Sequence, residues 1–408
     1  MTADNTSSAP STAAAASAPI ASGYIEGYFG RLLHFHERDL LLNTMAQNNL
    51  NTWIYAPKED YRHRRGWREP YPHTWSANFK AFCNSANAQG VNLVAALSPI
   101  DFQTNSAHDR QKLCDKYQQL LDAGATSIGL FFDDLPQKPS TMTGIQAQQQ
   151  TDLALELLDK LHVSSAQLWF CPTQYCSSFV DHRIDHSTYL PVVAEQLPAD
   201  CHILWTGPQV ISSSLLWPDL QEIAQLLQGR LTLWDNYYAN DYAPGKLMLC
   251  SYRKRLKHIP LLLNPTGLPH TDALYLELLG RHLAPELPEQ DAETIWQQVC
   301  ENHGVPDSFQ TIAFLFQPHA YADSSWPDLH SWPDLIPQIR ELAFGTWSSP
   351  LTSSLSFSLQ REWFPFLQQL ARDLGLLQQI LKGHCSEKDL RHFSAPLMQS
   401  ILQLLKPS

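Results

Sequence analysis

Eight short runs of apolar, β-branched or aromatic residues punctuate the chain between residues 23 and 265. They read GYIEGYF (23–29), LNTWIYAP (50–57), VNLVAALSP (91–99), SIGLFFDD (127–134), AQLWFCPT (166–173), HILWTGP (202–208), LTLWDNY (231–237) and IPLLLNP (259–265). Continuous runs of this kind suit strands covered on both faces, as in a parallel sheet. Between them, apolar residues recur at helical spacing. Leu40, Leu41, Met45 and Leu50 follow the first run, and Leu113, Tyr117, Leu120 and Leu121 precede the fourth. Residues 147–162 carry Leu153, Leu155, Leu157, Leu158 and Leu161 on a broad apolar face. Pro218, in WPDL at 217–220, suits the first turn of a helix continuing through Ile223 and Leu226. The runs start roughly 30–40 residues apart, the length of a strand, a helix and two loops. Eight such units in about 250 residues predict an α/β chain with a (β/α)8 TIM barrel over 23–285. An open doubly wound sheet competes, but it normally carries GxGxxG after its first strand, where this chain reads GYFGRLL.

The flanks differ from this rhythm. Residues 1–22 are almost entirely Ala, Ser, Thr, Pro and Asn and lack the basic start and apolar stretch of a secretory signal. They read as a disordered tail, and a cytoplasmic location is expected. Beyond 285 no further strand pattern occurs. Trp363, Phe366, Leu367, Leu370, Leu374, Leu377 and Leu381 predict a helix over 356–382, and residues 389–405 predict another. Residues 286–408 are therefore read as a helical C-terminal region. Its apolar stripe is expected to pack on the barrel; packing on a second subunit, as a homodimer through these helices, is the alternative. SWPDL occurs at 325–329 and again at 331–335, too short a unit for a repeat architecture.

Composition narrows the function. Hydrophobic residues make up 44% of the chain, enough for a large core, so a wholly disordered chain is excluded. The formal charge of −12 argues against a nucleic-acid partner, which would call for a basic face. No run approaches the roughly 18 apolar residues of a membrane span, so no membrane partner is expected. The eight cysteines are scattered through apolar runs without a CxxC pair. They read as free, buried thiols rather than zinc ligands or a disulfide framework.

A barrel of this kind carries its chemistry at the C-terminal ends of its strands. The residues following the runs include Glu26-Gly27-Tyr28-Phe29-Gly30-Arg31, Lys58-Glu59-Asp60-Tyr61, Asp133-Asp134, Thr173-Gln174-Tyr175, Trp234-Asp235-Asn236 with Asn240-Asp241-Tyr242, and Asn264. Adjacent carboxylates such as Asp133 and Asp134 do not both ionise readily in a partly desolvated site, so one pKa should rise. That leaves one anion and one carboxylic acid able to donate a proton near neutrality. A metal site, a helix cap or a solvated turn are the other readings of such a pair. A metal-dependent hydrolase would want histidines directly at several strand ends, and none stands there, so no metal and no cofactor are expected. His34 and His36 lie in a loop, and the stretch Asp181 to His186 reads as a polar loop. GxSxG is absent, and Cys171 and Cys176 have no evident base, so they are read as pocket lining.

Seven motifs, in order, resemble glycoside hydrolase family 84: EGYFGR (26–31), NTWIYAPKEDYRHRRGWRE (51–69), LFFDDLP (130–136), FCPTQYC (170–176), LWTGP (204–208), LWDNYYANDY (233–242) and LLNPTG (262–267). The family contains β-N-acetylglucosaminidases acting on O-GlcNAc proteins and bacterial relatives labelled hyaluronidases. The resemblance implies retaining, substrate-assisted hydrolysis, an exception to the scheme with an enzyme carboxylate as nucleophile. It implies that Asp133 polarises the substrate's acetamido N–H and that Asp134 is the acid and base. It implies that Lys58, Asp241, Asn264 and the backbone of Gly27 hold sugar hydroxyls, with Tyr175 and Asn236 near the acetamido group. Trp234 would wall the pocket, and Cys171 and Tyr242 would line it. The implied partner is a GlcNAc-bearing glycoprotein or oligosaccharide; a non-catalytic GlcNAc-binding barrel is the alternative. Leu32-Leu33 and SPIDF at 98–102 depart from the family pattern near the pocket mouth.

Overall fold

The computed structural model describes residues 19–243, 245–284, 291–306, 313–316 and 355–384. The tail through residue 18, both SWPDL copies, Cys385 and the helix expected at 389–405 lie outside the described residues. All eight apolar runs are strands: β1 (Ser22–Ile25), β2 (Thr52–Tyr55), β3 (Asn92–Leu97), β4 (Ser127–Phe131), β5 (Leu168–Cys171), β6 (His202–Trp205), β7 (Leu231–Asp235) and β8 (Leu261–Leu263). They pair in sequence order, all parallel, and β8 closes on β1, giving the (β/α)8 barrel that the periodicity predicts. Ser22, assigned to the tail by composition, is the first residue of β1. The Asn51 side chain fixes it, accepting from Ser22 N at 3.0 Å and donating to Ile20 O at 3.0 Å.

The two-residue side-chain period of a strand sorts each run into two faces. Ile25, Ile54, Val94, Phe131, Trp169, Leu204, Trp234 and Leu262 point into the barrel and form one buried cluster. Their neighbours Tyr24, Trp53, Leu93, Leu130, Phe170, Ile203, Leu233 and Leu263 point outward and join the core shared with the helices. Gly129 faces inward where space runs out, since a Cβ there would lie 2.8 Å from the Ala96 Cβ.

The covering helices are α1 (Phe35–Gln47), α2 (His73–Ala88), α3 (Ala107–Asp122), α4 (Gly144–Leu161), α5 (Leu190–Gln196), α6 (Trp217–Leu227) and α7 (Pro269–Leu283). Pro218 stands in the first turn of α6, as its sequence suggests. One expected unit differs. No helix joins β7 to β8 among the described residues. The link is instead built on Asp235, whose carboxylate takes Arg255 Nε at 2.9 Å and Tyr252 Oη at 2.7 Å. Tyr238 stacks on Tyr275 of α7 with ring centroids 3.9 Å apart. A chain segment dense in aromatics and arginine covers the barrel wall here without helical periodicity.

Among the described residues two further helices follow, α8 (Ala292–Asn302) and α9 (Phe357–Leu381). Trp363, Phe366, Leu370 and Leu374 of the predicted stripe are buried. Glu362 of α9 caps α7, accepting from His270 N at 2.9 Å and Thr271 N at 2.8 Å. A carboxylate there satisfies open N–H groups and meets the positive end of the helix dipole. Trp363 Nε1 donates to Thr271 Oγ1 at 2.9 Å, fixing the same junction. No helix among the described residues is long and apolar enough to cross a membrane.

Asp235 and Arg255 are both almost fully buried, at 1% and 4% exposure. Removing the cation strands a buried anion. Arg255→Met should therefore destabilise the protein by about 3–5 kcal/mol, read as a lowered urea midpoint. A change below about 1 kcal/mol would show that the pair does not organise the β7–β8 link.

Candidate active site

The period that fills the barrel also builds its upper rim. Two residues beyond the last inward apolar position, every strand except β5 presents its next inward side chain. This places Gly27 above Ile25, Lys58 above Ala56, Ser98 above Ala96, Asp133 above Phe131, Thr206 above Leu204, Asn236 above Trp234 and Asn264 above Leu262. A cavity of about 310 Å³ opens there, lined among others by Gly27, Asp133, Asp134, Tyr175, Thr206, Trp234, Asn236, Asp241, Tyr242 and Asn264.

Asp133 continues the inward face of β4, while Phe132 continues the outward face and donates its N–H to Cys171 O at 2.9 Å. By the same alternation Asp134 would point away. Its backbone instead adopts φ +50°, in the left-handed region, and its carboxylate turns back to the cavity. Aspartate is among the few side chains that enter this region readily, and such strain collects at functional sites.

The two carboxyl groups then meet opposite surroundings. Asp133 forms a buried ion pair with the Lys58 ammonium. Burial alone would push the Asp133 pKa up, but the Lys58 charge and hydrogen bond outweigh it and hold the group below the ordinary carboxylate range. Asp134 is raised, first by burial and then by the neighbouring Asp133 charge. Tyr175 Oη donates to Asp134 Oδ1 at 2.9 Å and offsets part of that rise. The two adjacent carboxyl groups thus differ in proton affinity, Asp133 held toward the anion and Asp134 toward the acid.

The remaining polar groups are held in chains. Asn264 Oδ1 accepts from Gly27 N at 2.9 Å, and Asn264 Nδ2 donates to Asn236 Oδ1 at 2.8 Å. Trp234 Nε1 also donates to Asn236 Oδ1, at 2.9 Å. The Gly27 N–H is therefore already engaged, which leaves its carbonyl for a ligand. Asp241 Oδ2 accepts from Phe29 N at 3.0 Å and ties the β1 loop to the β7 loop. Phe29 and Tyr242, 40% and 54% exposed, stand at the mouth.

Several residues that follow the apolar runs point elsewhere, Glu26 and Asp235 by the same alternation and the others because loop and helix partners hold them. Glu26 is outward and takes Arg38 of α1 through two 2.8 Å bonds. Asp235 serves the β7–β8 link. Asp60 accepts from Tyr55 Oη at 2.6 Å and Tyr71 Oη at 2.9 Å. Thr173 and Gln174 bond to Gln150 and Pro139 O. Lys58 does not line the cavity; its ammonium is committed to Asp133 and lies 5.4 Å from the Trp234 ring centroid. Cys171 is buried beneath the cavity, 1% exposed, rather than lining it, because its side chain fills the barrel beside Phe131 and Trp234. Cys176 is equally buried. His34 and His36 stack on each other with centroids 5.6 Å apart. Among the described residues no three His, Cys, Asp or Glu side chains gather as a metal cage.

Sequence reasoning missed Thr206, Val210, Ile211 and Ala239 in the cavity wall, and Ser98 and His63 behind Asp133. The first and Ser98 were findable by counting two residues past the last inward apolar position. The others depend on loop paths that no periodicity encodes.

A family model described as beta-N-acetylglucosaminidase matches residues 22–314, well over half of the chain. The chain belongs to this family. It is an O-GlcNAcase-like member of glycoside hydrolase family 84. It is 31% identical to mouse "Protein O-GlcNAcase" over 238 residues, 57% of this chain and 26% of that protein. The chain thus spans about a quarter of that relative's length. An O-GlcNAc hydrolase mutant from Thermobaculum terrenum superposes with a TM-score of 0.72 at 26% identity, over 93% of this chain and 86% of its own. The protein CpGH84B shares the fold, with a TM-score of 0.69 at 21% identity, over 94% of this chain and 72% of its own.

The family member's cavity floor leaves no room at Gly27. A Cβ there would lie 2.1 Å from Trp234 Cζ2. Gly27→Ala should lower stability by about 1–3 kcal/mol in urea titration, and a crystal structure should show the indole displaced into the cavity. Unchanged stability with an unmoved indole would contradict this packing.

Proposed function

We propose that this chain is a retaining exo-β-N-acetylglucosaminidase that removes O-linked N-acetylglucosamine from proteins or glycans by substrate-assisted hydrolysis. The observation that carries the reading is the pair Asp133 and Asp134, adjacent in sequence, opposite in protonation tendency and facing one cavity. Family membership supplies the sugar.

In this mechanism the substrate's acetamido carbonyl oxygen attacks the anomeric carbon from one face. The glycosidic C–O bond breaks on the other, and the leaving oxygen takes the Asp134 proton. Asp133, kept anionic by Lys58, accepts a hydrogen bond from the acetamido N–H and stabilises the positive charge growing on the forming oxazoline ring. Asp134, now a carboxylate, then removes a proton from water as it opens that ring at the anomeric carbon. Two inversions leave the configuration retained. The low-pKa and high-pKa groups match the two roles without further adjustment.

Around this centre, Tyr175 and Asn236 flank the acetamido group, and Trp234 forms the wall beneath it. Asn264, Asp241 and the Gly27 carbonyl receive sugar hydroxyls. Lys58 acts on the sugar end of the site chiefly through Asp133. The substrate class is a terminal GlcNAc on a glycoprotein or oligosaccharide. A cytoplasmic setting fits the seven described cysteines, none of which is in a disulfide.

The test is release of 4-nitrophenol from its β-N-acetylglucosaminide in the presence of a chelator. Activity should persist in the wild type and fall at least about a hundredfold in both Asp133→Ala and Asp134→Ala. A folded wild type without turnover, but with measurable binding of the sugar, would favour a non-catalytic binding barrel instead. Release from a glycopeptide with GlcNAc on serine extends the test to the proposed substrate.

The pH profile follows from the same groups. Activity needs Asp133 ionised and Asp134 protonated. It should fall as pH drops through the lowered Asp133 pKa and fall again as pH rises through the raised Asp134 pKa. Tyr175→Phe removes a donor that favours the Asp134 anion, so Asp134 rises further and the alkaline limb should move to higher pH. An alkaline limb that stays in place or moves down would separate Tyr175 from Asp134 ionisation.

A further inference from the structure

Beside Asp133, toward the carboxylate oxygen that Lys58 does not hold, lie two buried residues that the mechanism above does not use. Ser98, two positions beyond Ala96 on the inward face of β3, places its Oγ 3.4 Å from Asp133 Oδ1. The same Oγ lies 3.4 Å from His63 Nε2. Both residues are fully buried, at 0% exposure. His63 is fixed at both ends. Its Nδ1 lies 2.7 Å from Ala96 O, and its own carbonyl accepts from Ser98 N at 3.1 Å.

Counting protons limits what this arrangement can do. A backbone carbonyl only accepts, so the His63 ring carries a proton on Nδ1. Burial first, and then the Lys58 charge, lower the His63 pKa to about 4, so the ring is neutral near pH 7. Its Nε2 is then an acceptor. Asp133, as the anion, is also an acceptor. Ser98 owns one hydroxyl proton and stands equally far from the two. At 3.4 Å it is committed fully to neither, and hydrogen bonds in unliganded catalytic sites are often long and tighten with substrate.

We propose that Ser98 and His63 are positioning residues for Asp133, with the Ser98 hydroxyl acting as a two-way hydrogen-bond donor between the Asp133 carboxylate and His63. Turned to Asp133, the hydroxyl steadies the anion and holds Oδ1 in place while Lys58 holds Oδ2. Turned to His63, it releases Oδ1 to accept more fully from the acetamido N–H as the oxazoline forms. The O–H bond only rotates; no proton leaves Ser98 and no charge crosses. The inference rests on the substrate-assisted reading given above, since it assigns a task to groups supporting the same carboxylate.

The charged and titratable groups facing this cluster are few. Lys58 and Arg64 from the β2 loop, Asp134 beside it, Cys171 from β5 and Tyr175 from the loop after β5 surround Asp133, while Asp60 and Lys58 face His63. Ser98→Ala and His63→Phe leave all of these in place. They differ in what they do to Asp133. Ser98→Ala removes its donor, which disfavours the anion. His63→Phe removes the competing acceptor and leaves the donor permanently on Asp133, which favours the anion.

Steady-state kinetics on the 4-nitrophenyl glycoside across pH tests this. In Ser98→Ala, kcat should fall about ten- to a hundredfold, KM should change by less than about threefold, and the acidic limb of kcat should move to higher pH. In His63→Phe, kcat should also fall, but the acidic limb should stay or move to lower pH. Limbs that shift the same way in both variants overturn the two-way donor, as does a Ser98→Ala enzyme with wild-type kcat and pH profile. Should His63→Phe fail to fold, Ser98→Ala alone decides, because it removes one atom from a small side chain. A wild type without turnover is a different result, since it removes the glycosidase reading itself.

Discussion

The site depends on the buried ion pair between Lys58 and Asp133. Without that cation, two adjacent carboxyl groups in a desolvated cavity would each be pushed toward the neutral form, and neither would hold a distinct role. With it, the energy of the pair is settled asymmetrically. Asp133 keeps its charge, and that charge in turn raises Asp134. The ammonium does this from outside the cavity wall, so its influence is exerted through the aspartate that faces the ligand. A positive group placed directly in the cavity would also have lowered Asp134 and weakened it as an acid. From behind Asp133 and at the Trp234 ring, Lys58 lowers Asp134 as well, but by less than burial and the Asp133 charge raise it.

The pair exists because the barrel forces it. Parallel strands in register bring β2 and β4 to either side of β3, and the side-chain alternation points Lys58, Ser98 and Asp133 into one layer. That layer is the first above the apolar filling of Ile54, Val94, Ala96 and Phe131. Polar groups there have a dry floor and a partly open roof, so desolvation and ligand access coexist. The same geometry explains why Glu26 and Asp235, each beside a residue of the site, take no part in it. They fall on the outward face, and each is neutralised by an arginine, Arg38 or Arg255.

This alternation also decides what is legible in the sequence. The eight strands and their order can be read because the apolar runs are long and regularly spaced, and the barrel follows from their number. The carboxylate pair and the inward polar layer can be read because they stand at fixed offsets from those runs. The β7–β8 link is another matter. It has no helical period, and its order comes from the Asp235–Arg255 pair and stacked tyrosines contributed by separate segments. The attachment of α9 is equally non-local, since Glu362 caps a helix that begins about ninety positions earlier. Loop residues such as Val210, Ala239 and His63 reach the site by tertiary paths, and their composition alone does not distinguish them from ordinary core or surface residues.

Asp134 departs from the strand rule that places Asp133 and the other inward polar groups. At φ +50° its backbone gives up the favourable extended conformation, at an energy on the order of 1–3 kcal/mol. The reward is geometric, because a regular strand cannot present two consecutive side chains to one face. A lone aspartate on the inward face would provide an anion with no acid beside it, and a second one placed two residues earlier would sit buried in the apolar filling. Turning the backbone once, immediately after Asp133, lets sequence neighbours share a cavity while keeping different solvation. Tyr175 then secures the turned carboxyl from the loop after β5, so the strained conformation is anchored by a contact that also tunes its acidity. Backbone strain and proton affinity are, at this residue, consequences of the same local geometry.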